Sequence, residues 1–406
     1  VQGYTIIPFY TTGAIASGAW DYITGYEAAW SAMRGYPTTC MFYQQRLCFG
    51  GSAGKPNTFW ASRVGQYNTF ENVGNYDNDA ISATISSEQI DEIVNLYGNR
   101  GIQVFTTGAE WNIPEGSLTP YGITFVKSTS NGSLANVNPY DVSGTTLFIE
   151  RNGKSMLGFV YADTQASYVT NSMSLLTSLV DDPVAMAVDY NSSNDIGNFL
   201  YLVKSDGTMA VFCILLDQQI NSPVRFETDG DILDVTNVAG DTYVLVDRKD
   251  VIYLEKLDYQ KTDWTTTNSS LSASITGLDD YNGYYVHVYN DTDYGTYFVM
   301  GGAITLSATP TATVYIGIEY DYALTSTKIA IEGQTENIEK RIAKATVTTI
   351  DTTSVTFCGQ TITRTDNVYD FYGVTAYSRD CRFTITGTFD YVEILSILLN
   401  LNYGDK

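Results

Sequence analysis

The sequence has 406 residues, with 45 acidic and 22 basic side chains and a formal net charge of −23. This length is enough for two or three packed units. An apolar fraction of 44 % against 17 % charged residues excludes a disordered chain. The acidity argues against a protein that grips nucleic acid by neutralising phosphates, and it disfavours anionic membranes. Keeping an abundant protein soluble is an equally good explanation of the charge.

The residue types favour β structure. The chain has 32 tyrosines and 34 glycines. Tyrosine and threonine suit pleated, half-buried surfaces, and glycine marks the turns between strands. Tyrosine also suits subunit interfaces, because it joins a large apolar face to a polar tip. We therefore expect an all-β chain with few short helices.

The first part of the chain predicts a lead-in and one helix. We interpret residues 1–35 as a lead-in or linker, which can be the end of a missing N-terminal region, with a broken helix at 16–33. A clearer helix is predicted where 86–89 can cap it and Gly98 can end it. Its apolar face would contain Ile90, Ile93, Val94 and Tyr97.

A repeated unit of apolar strand, turn and apolar strand then runs from residue 40 to about 260. Copies occupy 101–111, 146–157, 200–211 and 243–254, with a weaker one at 40–49. Their turns carry Asn, Asp or Gly, which tolerate the positive φ of tight hairpins. Starts at 101, 146, 200 and 243 give intervals of 45, 54 and 43 residues, against about 40–50 for a four-stranded propeller blade. We predict a β-propeller-like domain over 36–265, with a stack of unrelated hairpins as the alternative.

The character of the sequence changes after Trp264. Residues 265–270 form a polar junction, and strands are predicted at 313–320 and 353–358. We expect a second, C-terminal β-rich domain over 266–406.

Catalytic patterns are weak. His287 is the single histidine, it lies in an alternating strand-like stretch, and no GxSxG is present. Residues 50–55 look like part of a phosphate loop, but Pro56 removes the amide that would open the helix. The five cysteines are widely spread with no CxxC, so we expect buried thiols. We predict no enzyme activity and no cofactor.

Acidic clusters could in principle hold Ca²⁺ through oxygen ligands. No cluster fits the EF-hand pattern, and with 45 acidic residues such pairs arise by chance, so we predict no metal site. A glycosidase-like carboxylate pair stays open as an alternative, because sequence does not give the separation. The clusters are Asp77 and Asp79, Asp181 and Asp182, Asp229 and Asp231, and Asp279 and Asp280.

An ordered series of motifs occupies residues 35–120. It contains GYP at 35–37, FYQQRLCFGG at 42–51, KPNTFWASR at 55–63, YNTF at 67–70, NDAI at 78–81 and TTGAEW at 106–111. This order resembles podovirus-type bacteriophage tail nozzle proteins, also described as tail tubular or packaged-DNA stabilisation proteins. The resemblance covers about 35–265, and the C-terminal part is similar only in style. Such proteins usually carry considerable sequence before GYP, so we expect a truncated or cleaved product.

The resemblance implies a structural virion protein. It implies a ring, typically hexameric, below the portal or adaptor proteins, which retains packaged DNA and conducts it during ejection. Expected partners are further copies of the chain, the portal or adaptor, and tail fibre or needle proteins. DNA is passive cargo, no membrane insertion by this chain is expected, and the location is the virion tail after synthesis in the host cytoplasm.

The motif residues are expected to be structural or to form subunit contacts. Arg46 and Arg63 would brace loops against carboxylates, and Trp60 and Trp111 would anchor strands. A propeller-type glycan-binding protein or polysaccharide-degrading tail enzyme is the alternative, and a non-viral β-rich surface protein is a third. The full set of motif residues is Pro37, Arg46, Pro56, Trp60, Ser62, Arg63, Phe70, Asp79, Glu110 and Trp111.

Overall fold

The computed structural model divides the chain into two compact units, Val1–Leu257 and Asp258–Lys406. The described residues are 29–71, 76–87, 91–175, 177–190, 198–330, 338–364, 366–389 and 392–403. Most of the expected lead-in, residues 1–28, lies outside them. The expected junction between 265 and 266 falls inside a strand of the second unit, Asp263–Asn268.

Unit 1 consists, in its described residues, of five successive antiparallel sheets whose strands follow chain order. The first sheet contains β1 (Thr39–Tyr43), β2 (Arg46–Gly50), β3 (Thr58–Ala61) and β4 (Ile81–Thr84). The second contains β5 (Ile93–Gly98), β6 (Ile102–Thr106), β7 (Glu110–Ile113) and β8 (Val126–Thr129). The third contains β9 (Tyr140–Val142), β10 (Thr145–Ile149), β11 (Met156–Ala162) and β12 (Ser167–Ser172). The fourth contains β13 (Pro183–Asp189), β14 (Asn198–Lys204), β15 (Met209–Leu215) and β16 (Ile220–Phe226), and the fifth contains β17 (Asp231–Val238), β18 (Asp241–Arg248) and β19 (Val251–Lys256).

The predicted hairpins are confirmed. Four of them are the second and third strands of their sheets, whereas 40–49 supplies the first and second strands of its sheet. Gln44 and Gln45, with φ of 44° and 59°, connect β1 to β2, and Lys249 and Asp250, with φ of 54° and 66°, connect β18 to β19. Two consecutive positive φ values give the turn that matches strand twist.

The sheets pack in chain order. One apolar cluster joins the first and second sheets, a second joins the third and fourth, and a third joins the fourth and fifth. Successive four-stranded meanders that bury their faces against the next sheet are the arrangement of propeller blades. The predicted all-β, β-propeller-like fold class is confirmed. Members of these clusters are Phe59 and Val104, Leu147 and Phe212, and Tyr201 and Val244.

An aromatic cluster joins the second and third sheets. Phe105 on β6 is fully buried, with ring centroids 5.0 Å from Phe148 and 5.7 Å from Phe159. Phe159 stacks on Tyr168 at 4.6 Å. Each of the five sheets therefore packs against the next one in the chain.

The predicted helix after residues 86–89 is wrong where the structure describes it. Ile93 and Val94 lie on β5, which pairs antiparallel with β6. Ile93, Val94, Asn95 and Leu96 are all buried, because both faces of the strand are covered. Such a strand lacks apolar alternation, and its residues also fit helical spacing. Residues 88–90, including Ile90, lie outside the described residues.

Unit 2 has a different topology, with strands that are not paired in chain order. It contains β20 (Asp263–Asn268), β21 (Ser274–Thr276), β22 (Tyr285–Tyr289), β23 (Asp293–Phe298), β24 (Ala303–Thr305), β25 (Val314–Ile318) and β26 (Asp321–Thr325). It continues with β27 (Lys340–Ile350), β28 (Ser354–Phe357), β29 (Gln360–Thr363), β30 (Val368–Tyr372), β31 (Thr384–Thr388) and β32 (Glu393–Tyr403). The sheet orders are β20-β25-β22-β23, β21-β24, β26-β31-β28-β29 and β30-β27-β32. The strands predicted at 313–320 and 353–358 correspond to β25 and β28.

Helical structure is minor in the described residues. Two short 3-10 helices occupy Leu216–Gln218 and Asp279–Tyr281. No helix in these residues is long and apolar enough to cross a membrane.

Candidate structural and interface site

Arg46 is the centre of a buried brace in unit 1. It opens β2 and is only 1 % exposed. Its Nη1 donates to the carbonyl oxygens of Ser62 and Asp79, each at 2.7 Å. Its Nη2 donates to the carbonyl oxygens of Asp77 at 2.8 Å and Leu118 at 3.2 Å. One guanidinium thus ties together three separate chain segments, through backbone carbonyls where carboxylates were expected.

The charge balance of the brace involves Asp79 and Arg63. Asp79 is 1 % exposed, and its Oδ1 lies 3.7 Å from the Nε of Arg63. The Oδ2 of Asp79 accepts from the backbone N–H of Tyr76 at 3.1 Å. Burial lowers the pKa of Arg46, and the nearby Cys48 and Asp79 side chains oppose that effect. Removing either the buried cation or the buried carboxylate alone is strongly destabilising, because the other charge is then buried without a partner.

Ser62 fixes the strand that carries the brace. Its Oγ accepts from the backbone N–H of Leu47 at 2.9 Å, and its carbonyl accepts from Arg46. Ser62, Arg63 and Asp79, which the motif series singled out, therefore meet around one side chain.

Aromatic rings cover the neighbouring face of the first sheet. Trp30 lies edge-on to Trp60 at 5.3 Å, to Phe49 at 5.2 Å and to Phe70 at 5.3 Å between ring centroids. Phe49 and Phe70 are themselves 5.5 Å apart. Sequence reasoning missed Trp30 as the centre of this group, because it was assigned to a linker. The other expected anchor, Trp111, is 6 % exposed in the core that joins the first and second sheets.

The segment before β1 and the loop after β2 both dock onto β5. Pro37 precedes Thr38, whose Oγ1 donates to the carbonyl of Ile93 at 2.7 Å, and the carbonyl of Pro56 accepts from the N–H of Ile93 at 2.8 Å. Gly51 has φ of 59°, and a Cβ there would lie 2.5 Å from the carbonyl oxygen of Ile93. Backbone therefore approaches backbone where only glycine fits.

We expect Gly51→Ala to destabilise unit 1 by at least about 2 kcal/mol, since it combines positive φ with a clash against backbone. Urea unfolding followed by tryptophan fluorescence measures this. Gly65→Ala is the matched control, because Gly65 has φ of 69° and no atom within 4 Å of the added Cβ. Equal losses in the two variants would contradict the close approach.

Glu110 is a buried carboxyl group that links the second and third sheets. It is 0 % exposed, and its Oε2 accepts from Thr129 Oγ1 at 2.5 Å and from the N–H of Asn131 at 3.2 Å. Asn131 Nδ2 also donates to Thr170 Oγ1 on β12 at 3.0 Å. Burial raises the pKa of Glu110, and the donors from Thr129 and Asn131 offset this only in part.

This shift predicts a pH-dependent stability. A raised folded-state pKa means that Glu110 favours folding while protonated, and this contribution is lost as pH rises from the unfolded-state value near 4.5 through the folded-state pKa. Unfolding free energies measured from acidic to neutral pH should fall for the wild type relative to Glu110→Gln. The exposed Glu115 gives the control Glu115→Gln, which should follow the wild type. A difference between wild type and Glu110→Gln that is flat with pH would contradict the assignment.

His287 and the loop at 50–55, the other positions considered for chemistry, form contacts within the fold. His287 lies on β22 as expected, with Nδ1 2.8 Å from Glu319 Oε1 and Nε2 3.4 Å from Asp293 Oδ1. The expected loop at 50–55 closes on itself, because Ser52 and Lys55 exchange backbone hydrogen bonds. The amides of Gly51, Ser52, Gly54 and Lys55 all donate to backbone carbonyls, those of Gly51 and Gly54 to Thr58 and Arg34.

A cavity of about 490 Å³ lies among the turns of the fourth and fifth sheets. Asp206, Asp231 and Asp247 line it, together with Lys249. Hydrogen bonds from Thr208 and Lys204 lower the pKa of Asp206 to about 2. Among the described residues no group of three or more His, Cys, Asp or Glu is placed to hold a metal ion.

The chain is similar in structure to several proteins whose structures have been solved. No protein-family model matches the chain, and no curated protein matches it. YCF48 bound to D1 peptide has a TM-score of 0.35 and 9 % identity, covering 72 % of this chain and 98 % of that one. BBS1N in complex with ARL6DN and a luciferin-regenerating enzyme each have a TM-score of 0.33 and 10 % identity, covering 70 % of this chain and 92 % of theirs. Such distant likeness carries no functional argument, and the fold class rests on the chain's own sheets.

Proposed function

We propose that this chain is a structural subunit of a short bacteriophage tail. It would form a ring-shaped nozzle below the portal or adaptor, retain packaged DNA and conduct it during ejection. The observation that carries the proposal is the brace. Arg46, Ser62, Arg63 and Asp79 belong to the motif series that resembles nozzle proteins, and they meet in one network in which all but the half-buried Arg63 are buried. Burial and backbone hydrogen bonds suit residues that hold a scaffold in shape.

Exposed aromatic side chains support subunit contact. Phe42 is 69 % exposed and lies 5.2 Å, between centroids, from Tyr67, which is 43 % exposed. Tyr36 and Tyr76, from the same stretch of the chain, are 66 % and 64 % exposed. Aromatic residues are enriched at protein interfaces. A head-to-tail contact that closes by rotation gives a ring.

Light scattering and negative-stain electron microscopy of the purified chain test the ring. We expect a closed assembly, typically of six copies. Replacing Phe42 and Tyr67 together by serine should weaken it, whereas Tyr285→Ser, at a 66 % exposed position in unit 2, should not. A chain that stays monomeric with portal or adaptor present would contradict the proposal.

DNA should pass without adhering. Electrostatic binding to DNA requires basic side chains that displace the counterions of its phosphates, and a net charge of −23 disfavours this. We expect no retardation of duplex DNA by the purified chain in a gel-shift assay at low ionic strength, where electrostatic binding is strongest. A shift that disappears with added salt would contradict this passive role.

A glycan-binding or polysaccharide-degrading tail protein is the second candidate. The exposed pair Phe42 and Tyr67 favours it, because such rings can also stack on a ligand. Binding on a glycan array that is lost in Phe42→Ser, or release of sugar from host polysaccharide, would support this candidate over the nozzle.

A further inference from the structure

The last strand of unit 2 is an edge with unusual composition. β32 spans Glu393–Tyr403, is 11 residues long and pairs with β27. No strand lies on its other side in the part of the chain that the structure describes. Its sequence, EILSILLNLNY, carries one charged residue, at the first position.

Residues 396–403 of this edge lie beyond one of the two register shifts in its pairing with β27, and the other shift leaves one extra residue on β27 opposite Asn400 and Leu401. A register shift next to Leu395 marks a bulge, since Ser396 pairs with Thr348 and Ile394 with Thr349. Beyond the bulge, alternate side chains pack on the unit 2 core, while Leu398 is 66 % exposed and Tyr403 is 54 % exposed. The core-facing residues are Ile397, Leu399 and Leu401. An unpaired, uncharged edge of this kind can act as a template for another strand.

Some other outer strands carry residues that discourage such pairing, whereas outer strands without proline or charge, such as β4 and β12, are shorter than β32. β16 contains Pro223, β8 contains Lys127, and β19 ends with Glu255 and Lys256. Proline and charged side chains on an edge discourage a further strand. Residues 396–403 contain neither.

We propose that the edge within residues 396–403 pairs, as an antiparallel strand, with the same edge of a second copy of this chain. With a net charge of −23, two copies repel each other over most of their surface. The uncharged edge is where they can approach without bringing like charges together. Because both copies contribute the same edge, the contact between them is two-fold symmetric. This goes beyond the proposed ring, whose contact is head-to-tail and uses a different surface.

Leu398→Lys tests the pairing, because it places like charges close together across the two-fold contact. In analytical ultracentrifugation we expect the wild type to associate in pairs, so that its average mass doubles as the protein concentration rises. Leu398→Lys should weaken that association at least ten-fold. Leu324→Lys is the control, since Leu324 is 49 % exposed on β26 in another sheet of unit 2, and it should leave the association unchanged.

Hydrogen exchange gives a second readout that does not depend on a variant. Backbone amides of 396–403 that exchange more slowly at high than at low protein concentration support the pairing. Equal exchange at both concentrations would overturn it, as would association of Leu398→Lys as strong as that of the wild type. If the ring persists in Leu398→Lys and the edge amides are unprotected, the edge pairing is overturned and the ring proposal is unaffected. If the edge amides are protected and no ring forms, the edge pairing is supported and the ring proposal is contradicted.

Discussion

Arg46→Met is expected to destabilise unit 1 by about 3–5 kcal/mol, the range for breaking a buried charged network by removing one partner. The variant keeps an unbranched apolar stem but removes the four hydrogen bonds that the guanidinium donates. The carbonyls of Ser62 and Asp79 then lose their partner in a buried site, and the carboxylate of Asp79 loses a neighbouring cation. Urea unfolding followed by tryptophan fluorescence, which reports on Trp30 and Trp60 nearby, measures the loss.

Two further arginine variants define what the brace requires. Arg46→Lys keeps the charge but not the planar fork, so it should recover only part of the stability. Arg100→Met is the surface control, because Arg100 has a 55 % exposed side chain paired with the exposed Glu115 and Asp163. We expect a much smaller cost there, because exposed ion pairs are screened by solvent and contribute little to stability. Similar costs for Arg46→Met and Arg100→Met would contradict the buried brace.

Phe105→Ala is expected to cost about 3–5 kcal/mol, the usual range for truncating a buried phenylalanine. Phe105 is 0 % exposed and contacts Phe148 and Phe159 across the boundary between the second and third sheets. Its loss should therefore also raise hydrogen exchange in both of these sheets together. Unfolding by urea and exchange measured by mass spectrometry check the two effects.

The control for this substitution is Tyr121→Ala, at a 65 % exposed aromatic position in the same unit. We expect it to cost about 0.5 kcal/mol or less. Increased exchange confined to the second sheet in Phe105→Ala would show that the sheets do not pack as a continuous series.

Local patterns predicted much of unit 1. Hairpins were recognised where apolar strands flank Asn-Gly or Asp-Gly, and Gly153 and Gly207 have φ of 69° and 79°. The same reasoning failed at β5, where burial on both faces removed the period of two. The two-residue turn at Gln44 and Gln45 carries no residue type that announces positive φ, so its geometry depends on strand pairing.

The site was predicted as a set of residues and not as an arrangement. The motif order selected Arg46, Ser62 and Asp79, but sequence contains no signal for which backbone carbonyls would surround a guanidinium. Leu118 joined the brace through its carbonyl, which any residue type could have supplied. Trp30 was missed because its partners come from β2, β3 and a later loop, and such long-range packing leaves no periodic trace.

Unit 2 shows the same limit in topology. The alternating Thr, Val, Ile and Tyr predicted a β-rich unit and two of its strands, β25 and β28, yet the order β26-β31-β28-β29 joins segments far apart in sequence. The sequence of a strand also does not show whether that strand lies at the edge of its sheet. β32 reads as an ordinary strand, and only the sheet order shows that one side of it is open in the described residues.

Looking for the chain in purified particles of a short-tailed bacteriophage that encodes it tests the nozzle proposal most directly. Cryo-electron microscopy of intact particles, with the chain's presence established by mass spectrometry, is the measurement. The nozzle proposal predicts density for unit 1 repeated in a ring around the channel below the portal. Particles that are complete, infectious and free of this chain would contradict it.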